Sequence, residues 1–133
     1  MVAGQVNGLR VLVIDDEPEV AEVLVDMLSV DGHKADIAPN GRVALERLAH
    51  GGYDLVMSDL RMPEFDGSAL YRRLQQDDDP ILRRFIFVTG DTLGPEAQDF
   101  LERTGVPTLA KPFVFGEVRR IIQQVLAAGT RAT

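Results

Sequence analysis

Five short apolar runs, each followed by a helical pattern and a turn, govern what this chain can fold into. Leu9-Arg10-Val11-Leu12-Val13-Ile14 is rich in β-branched residues and reads as a strand buried on both faces. Asp15-Asp16-Glu17-Pro18 follows, acids and then proline, which is a helix-start signal. Val20, Ala21, Val23, Leu24, Met27 and Leu28 then recur at helical spacing as core positions, and Gly32 closes that helix. The unit repeats. Lys34 to Ala38 is a weaker strand, and Gly41 to His50 a helix with Val43, Ala44, Leu45 and Leu48 inward. Leu55 to Ser58 is a strand that ends at Asp59. A helix from about Ser68 to Gln75 comes next, then a solvated turn at Asp77-Asp78-Asp79-Pro80. Phe85 to Val88 and Thr108 to Ala110 are the last two strands. Pro95 to Thr104 and Phe115 to Ala128 are the last two helices, the latter with Val118, Ile121, Ile122, Val125 and Leu126 inward.

Strict alternation of strand and helix predicts an α/β fold with a parallel sheet covered on both faces. For five strands the flavodoxin-like (βα)5 order 2-1-3-4-5 is the natural one. The 133 residues suit one domain, predicted over 9–128, with a lead over 1–8 and a frayed tail over 129–133. Cysteine is absent, so neither disulfides nor thiolate metal sites form. A net charge of -7 argues against direct nucleic-acid binding, which relies on Lys and Arg to neutralise phosphates. No apolar run spans a bilayer, so no membrane insertion is expected. Met1 to Arg10 has no apolar core of signal-peptide type, and the expected location is cytoplasmic.

Parallel sheets bind ligands beyond the carboxyl ends of their strands, near the switch in strand order. Those ends carry Asp15-Asp16, Asp59, Thr89 and Lys111. Strands one and three are expected to be neighbours, so three carboxylates converge. Converging carboxylates repel unless a cation joins them, and all-oxygen ligands suit Mg2+ (or Mn2+). One carboxylate is then free to attack phosphorus and form an acyl phosphate. Lys111 supplies a mobile positive charge for the phosphoryl oxygens, Thr89 a hydroxyl, and the small Gly90 leaves room beside them.

On these residues the sequence resembles the CheY-like receiver domains of response regulators and hybrid histidine kinases. The marks are Asp15-Asp16, Asp59 with Met62-Pro63 and Asp66-Gly67 downstream, Thr89-Gly90, and Lys111-Pro112-Phe113, spread from about Leu9 to Leu126. The resemblance implies that Asp59 is phosphorylated by a histidine kinase or phosphotransfer domain and that Thr89 and Lys111 contact the phosphoryl group. It also implies that Asp15, Asp16 and Asp59 hold Mg2+, with Arg61 adding only its backbone carbonyl. Such a domain is a signalling switch, catalysing only its own phosphorylation and dephosphorylation, and its output partner meets the face of the fourth helix, fifth strand and fifth helix. Val88-Thr89-Gly90-Asp91-Thr92 looks like receivers of hybrid kinases. Arg61 and Asp91, two residues after the acceptor and two after the threonine, are expected at the rim as an ion pair that shields the acyl phosphate. Thr108 departs from the family, which often has Tyr or Phe there as a rotating switch. A small rearrangement of the output face is therefore expected. The resemblance also points to a cis Lys111-Pro112 bond.

Each mark has a bland reading. Asp15-Asp16 alone is ordinary helix capping, Asp59 a turn residue, Thr89 a strand former and Lys111 a solvated amine. Four elements at four strand ends, in order, are hard to obtain that way. A flavin carrier on this fold needs a phosphate-cradling loop after strand one, where this chain is acidic. An aspartate-nucleophile phosphohydrolase typically has Asp-x-Asp there, whereas these acids are adjacent. A purely structural interaction module remains the third alternative. His33 and His50 are assigned no role, and the arginine pairs are read as solvated faces.

Overall fold

Each apolar run becomes a strand because its neighbours in space are other apolar runs. The computed structural model describes residues 8–62, 65–90 and 94–131. Its elements are β1 (Arg10–Ile14), α1 (Pro18–Val30), β2 (Lys34–Ala38), α2 (Gly41–His50), β3 (Leu55–Asp59), α3 (Gly67–Gln76), β4 (Phe85–Thr89), α4 (Pro95–Thr104), β5 (Thr108–Ala110) and α5 (Phe115–Arg131). The strands are parallel in the order β2-β1-β3-β4-β5, the flavodoxin-like arrangement expected from the alternation.

Successive strand residues point to opposite faces, so the sheet feeds two cores. Val11, Val13, Met57, Ile86, Val88 and Leu109 pack against Leu24 and Leu28 of α1 and Val118 and Ile122 of α5. Leu12, Ile14, Val56, Phe85 and Phe87 pack against Ala44 of α2, Leu70 and Leu74 of α3, and Phe100 of α4. Full burial of each such side chain is worth roughly 1.5–3 kcal/mol. β3 is buried along its whole length, as the central strand of a sheet covered on both sides should be.

Local chemistry sets the helix ends. Asn40 accepts from Val43 N–H at 2.9 Å to open α2, and Asp66 from Ala69 N–H at 3.0 Å to open α3. Gly105 closes α4 at φ 68°, where its N–H reaches Leu101 O.

The structure refines or corrects the sequence reading at four places. Asp15-Asp16 does not cap α1: the residue before the helix is Glu17, which makes no side-chain cap bond. Val23 is 48% exposed rather than core, because α1 is met by the sheet along a narrower stripe than its apolar residues cover. After Asp79 the chain forms a 3-10 turn over Pro80–Arg84, with Asp79 accepting from Ile81 N–H at 3.0 Å. α5 runs past Ala128 to Arg131, since a single interior glycine costs a helix only about 1 kcal/mol. No helix among the described residues is long and apolar enough to cross a membrane.

Candidate functional site

Parallel pairing brings the carboxyl ends of the strands to one edge of the sheet. Ile14 lies opposite Ser58, Asp59 opposite Val88, and Thr89 opposite Ala110. The residues that leave those ends are therefore close together. Asp15, Asp59 and Thr89 are all buried, at 4, 7 and 4% exposure. Asp16 is exposed.

Lys111 ties the edge together. Its Nζ donates to Asp59 Oδ2 at 3.3 Å and lies 3.4 Å from Asp15 Oδ2 and 3.8 Å from Glu17 Oε1. Its own N–H donates to Thr89 O at 2.7 Å, so the end of β5 is fixed to the end of β4. The Lys111-Pro112 bond is cis, as expected. Asp15 Oδ1 accepts from Glu17 N–H at 2.9 Å, and Asp59 Oδ1 from Arg61 N–H at 3.3 Å.

The electrostatics follow from this packing. Burial raises the Asp59 carboxyl above its usual range and Asp15 adds to the rise, while Lys111 and the Arg61 N–H oppose it. Burial likewise raises Asp15 against the pull of the Glu17 N–H and Lys111. Burial alone lowers the Lys111 amine, but the attraction of Asp59 and Asp15 outweighs it and the amine is raised. Lys111 is thus firmly protonated, and the two buried carboxylates are costly to ionise.

Asp15, Asp16, Glu17 and Asp59 each bring a carboxylate oxygen within 4.8 Å of the others. Like charges near 4 Å repel on the order of 4 kcal/mol where screening is partial, and less at exposed groups. One lysine does not neutralise four acids. A hard divalent cation beside the lysine offsets most of that charge, and an all-oxygen set suits such an ion. The four acids can hold such an ion.

The structure brings together Asp15, Asp16, Asp59, Thr89 and Lys111. Arg61 is next to them through its main chain, with an exposed side chain. Thr108 is apart on β5, exposed, its hydroxyl donating to Val106 O at 3.3 Å. Asp91 and Pro63 lie outside the described residues, and with Asp91 the expected Arg61–Asp91 pair. Glu17 is the residue that sequence reasoning missed. Its signal was present as a third acid directly after the pair, but it was absorbed into the helix start. His33, assigned no role, is buried and accepts from Leu9 N–H at 3.2 Å through Nδ1.

The response regulator receiver domain family matches residues 11–123. A protein-glutamate methylesterase/protein-glutamine glutaminase from Nocardioides sp. is 36% identical over 131 residues, covering 91% of this chain and 34% of that protein. The response regulator MprA of Mycolicibacterium vanbaalenii is 32% identical over 124 residues, covering 92% of this chain and 52% of its own length. This chain thus spans about a third of one of these curated relatives and half of the other. Among solved structures, the signal receiver domain of a signal transduction histidine kinase from Syntrophus aciditrophicus matches with a TM-score of 0.81 at 28% identity, over 95% of each chain.

Proposed function

The chain belongs to the response regulator receiver domain family of two-component systems, and from that premise we propose that it is a signalling switch that takes a phosphoryl group onto Asp59. The donor is a phosphohistidine on a histidine kinase or phosphotransfer domain. A carboxylate oxygen of Asp59 attacks phosphorus and an O–P bond forms while the P–N bond breaks. The electron pair of that bond goes to the imidazole, which enters protonated on its other nitrogen and leaves neutral. Lys111 neutralises charge on the phosphoryl oxygens, and the Thr89 hydroxyl donates to one of them. Asp15, Asp16 and Asp59, with the Arg61 carbonyl, would hold Mg2+. When bound, the ion offsets the charge of the acids and of the incoming phosphoryl group.

The observation that carries this reading is the Lys111 ammonium seated between Asp59 and Asp15. Beside it a groove lined by Val20, Val23, Pro112 and Phe113 leads to Lys111 and Gly90. It offers an apolar bed for the element that presents the phosphohistidine. Such donors place the chain in the cytoplasm. Its output passes through the face of α4, β5 and α5, where Thr108 brings no ring to rotate.

Intact-mass measurement after exposure to a small-molecule phosphoryl donor tests the reading. One phosphoryl group is expected with Mg2+, none after chelation, and none in Asp59→Asn. Full labelling of Asp59→Asn, or labelling that survives chelation, overturns it.

A further inference from the structure

Two glycines far apart in the chain connect the start of α2 to the main chain of the acceptor. Gly41, the first residue of α2, donates its N–H to Phe65 O at 3.1 Å. That N–H is one of the donors every helix start leaves without an intrahelical partner. A Cβ at Gly41 would overlap the Phe65 ring and stand 2.6 Å from the Phe65 carbonyl oxygen. Asn40 fixes this turn further by capping Val43. Two residues beyond Phe65, Gly67 opens α3. A Cβ there would overlap the Asp59 carbonyl oxygen and stand 2.9 Å from Ser58 Oγ, which itself donates to Asp59 O at 2.9 Å. Phe65 packs with the core on this face of the sheet, and Asp66 between the two caps α3. The path from α2 to the acceptor is therefore short and closely packed throughout. Packed interiors transmit a displacement rather than absorb it.

We propose that Gly41 is a positioning residue for Asp59: by letting α2 approach Phe65 closely, it sets the start of α3 and hence the main chain from which the acceptor carboxylate projects. The proposal rests on Asp59 being the phosphoryl acceptor, but its structural half can be read without phosphate or metal. Helix propensity alone favours alanine over glycine within a helix. A loss at Gly41→Ala is then a loss through Phe65 and not through α2 itself.

The experiment uses the full chain with Gly41→Ala. Gly116→Ala serves as a control, since it is also a glycine in the first turn of a helix but has open space around its Cβ. Leu28→Ala, a core truncation at the far end of α1, controls for stability. Gly41→Ala is expected to move the Asp59 and Leu60 amide resonances in the metal-free protein. It is also expected to weaken Mg2+ binding by calorimetry about 10-fold, the usual scale for groups that orient metal ligands. Gly116→Ala should do neither, and Leu28→Ala should lower the melting temperature without changing cation affinity. Unmoved Asp59 and Leu60 amides in Gly41→Ala overturn the proposal. If the parent chain binds no Mg2+, the acceptor-site reading fails, while the amide shifts still decide the placement of Asp59. Should Gly41→Ala not fold, Phe65→Ala takes its place, and the same two amides must move.

Discussion

At the scale of single residues, the site trades stability for chemistry. Asp59 is raised by burial above the unfolded carboxyl value near 3.9. A raised carboxyl binds its proton more tightly folded than unfolded, so the ionised form weakens the fold at neutral pH, and stability recovers as pH falls through the folded value toward the unfolded one. Asp59→Asn removes that charge and keeps the shape. It is expected to abolish phosphoryl uptake while stabilising the metal-free protein by about 1 kcal/mol. Added Mg2+ should stabilise the parent chain more than the variant, because a ligand of the native state raises stability by mass action. Thermal melts of both proteins with and without Mg2+ check this, and a metal-free Asp59→Asn that melts below its parent contradicts it. His33 has the opposite sign. Burial lowers its imidazole, against the pull of Asp31, and its Nδ1 must stay unprotonated to accept from Leu9 N–H. Between about pH 6.5, the unfolded value, and the lower folded value, the unfolded state holds more protons, so stability falls as pH falls. The slope from one proton is at most about 1.4 kcal/mol per pH unit. His33→Asn keeps an acceptor near the place of Nδ1 and should flatten that slope in urea titrations. An unchanged slope places the titrating group elsewhere.

At the scale of elements, α4 packs on the sheet mainly through Phe100, with Ala97 and Leu101 partly buried beside it. Phe100 is the buried residue of that helix, and its ring meets Tyr71 of α3 edge-on at 5.7 Å and Phe87 of β4 at 5.7 Å. Arg72 covers the outer face of the Phe100 ring at 5.0 Å. Phe85 and Phe87 complete the group, their ring centroids 5.1 Å apart. Edge-to-face pairs of this kind add about 0.5–1.5 kcal/mol beyond burial. Phe100→Ala is expected to cost about 3–5 kcal/mol. It should also raise amide exchange in α4 well before it does so in β1 or β3, because local opening follows the loss of buried contacts. Equal loss of protection in α4 and in the central strands would show that the helix is held by more than this ring.

At the scale of the whole molecule, the fold is one sheet with a core on each face, and the proposed domain limits at residues 9 and 128 can be read against it. Leu9 belongs inside: its N–H reaches His33, and its carbonyl accepts from Lys34 N–H at 2.8 Å. Among the described residues, a chain trimmed to 9–128 loses Gly8 and the last turn of α5, whose buried anchors Val118, Ile121, Ile122 and Val125 all remain. It should unfold in one cooperative transition and bind Mg2+ like its parent, as measured by urea melts and calorimetry. Two transitions, or lost cation binding, would move the limits outward.

Much of this molecule was legible in the chain. Apolar runs of strand length alternating with helical patterns determined the order of elements. Parallel pairing then follows, because each crossover helix returns the chain to the same end of the sheet. Asp15, Asp16, Asp59, Thr89 and Lys111 could be grouped because each stands at a strand end, a position that sequence pattern does report. What tertiary structure alone decided is which atoms meet. Lys111 and Asp59 are 52 residues apart, and nothing local sets the 3.3 Å between them. Glu17 joins the acids because the chain turns between β1 and α1, with Glu17 N–H donating to Asp15 Oδ1. His33 becomes an acceptor because Leu9, just ahead of β1, passes its ring, and Val23 stays exposed because the sheet meets only part of α1's apolar stripe. Gly41 requires its missing side chain only because Phe65 lies against it. Periodicity encodes the direction in which a side chain points along its own element. Distances between elements come from how whole faces pack, and no short stretch of sequence carries them.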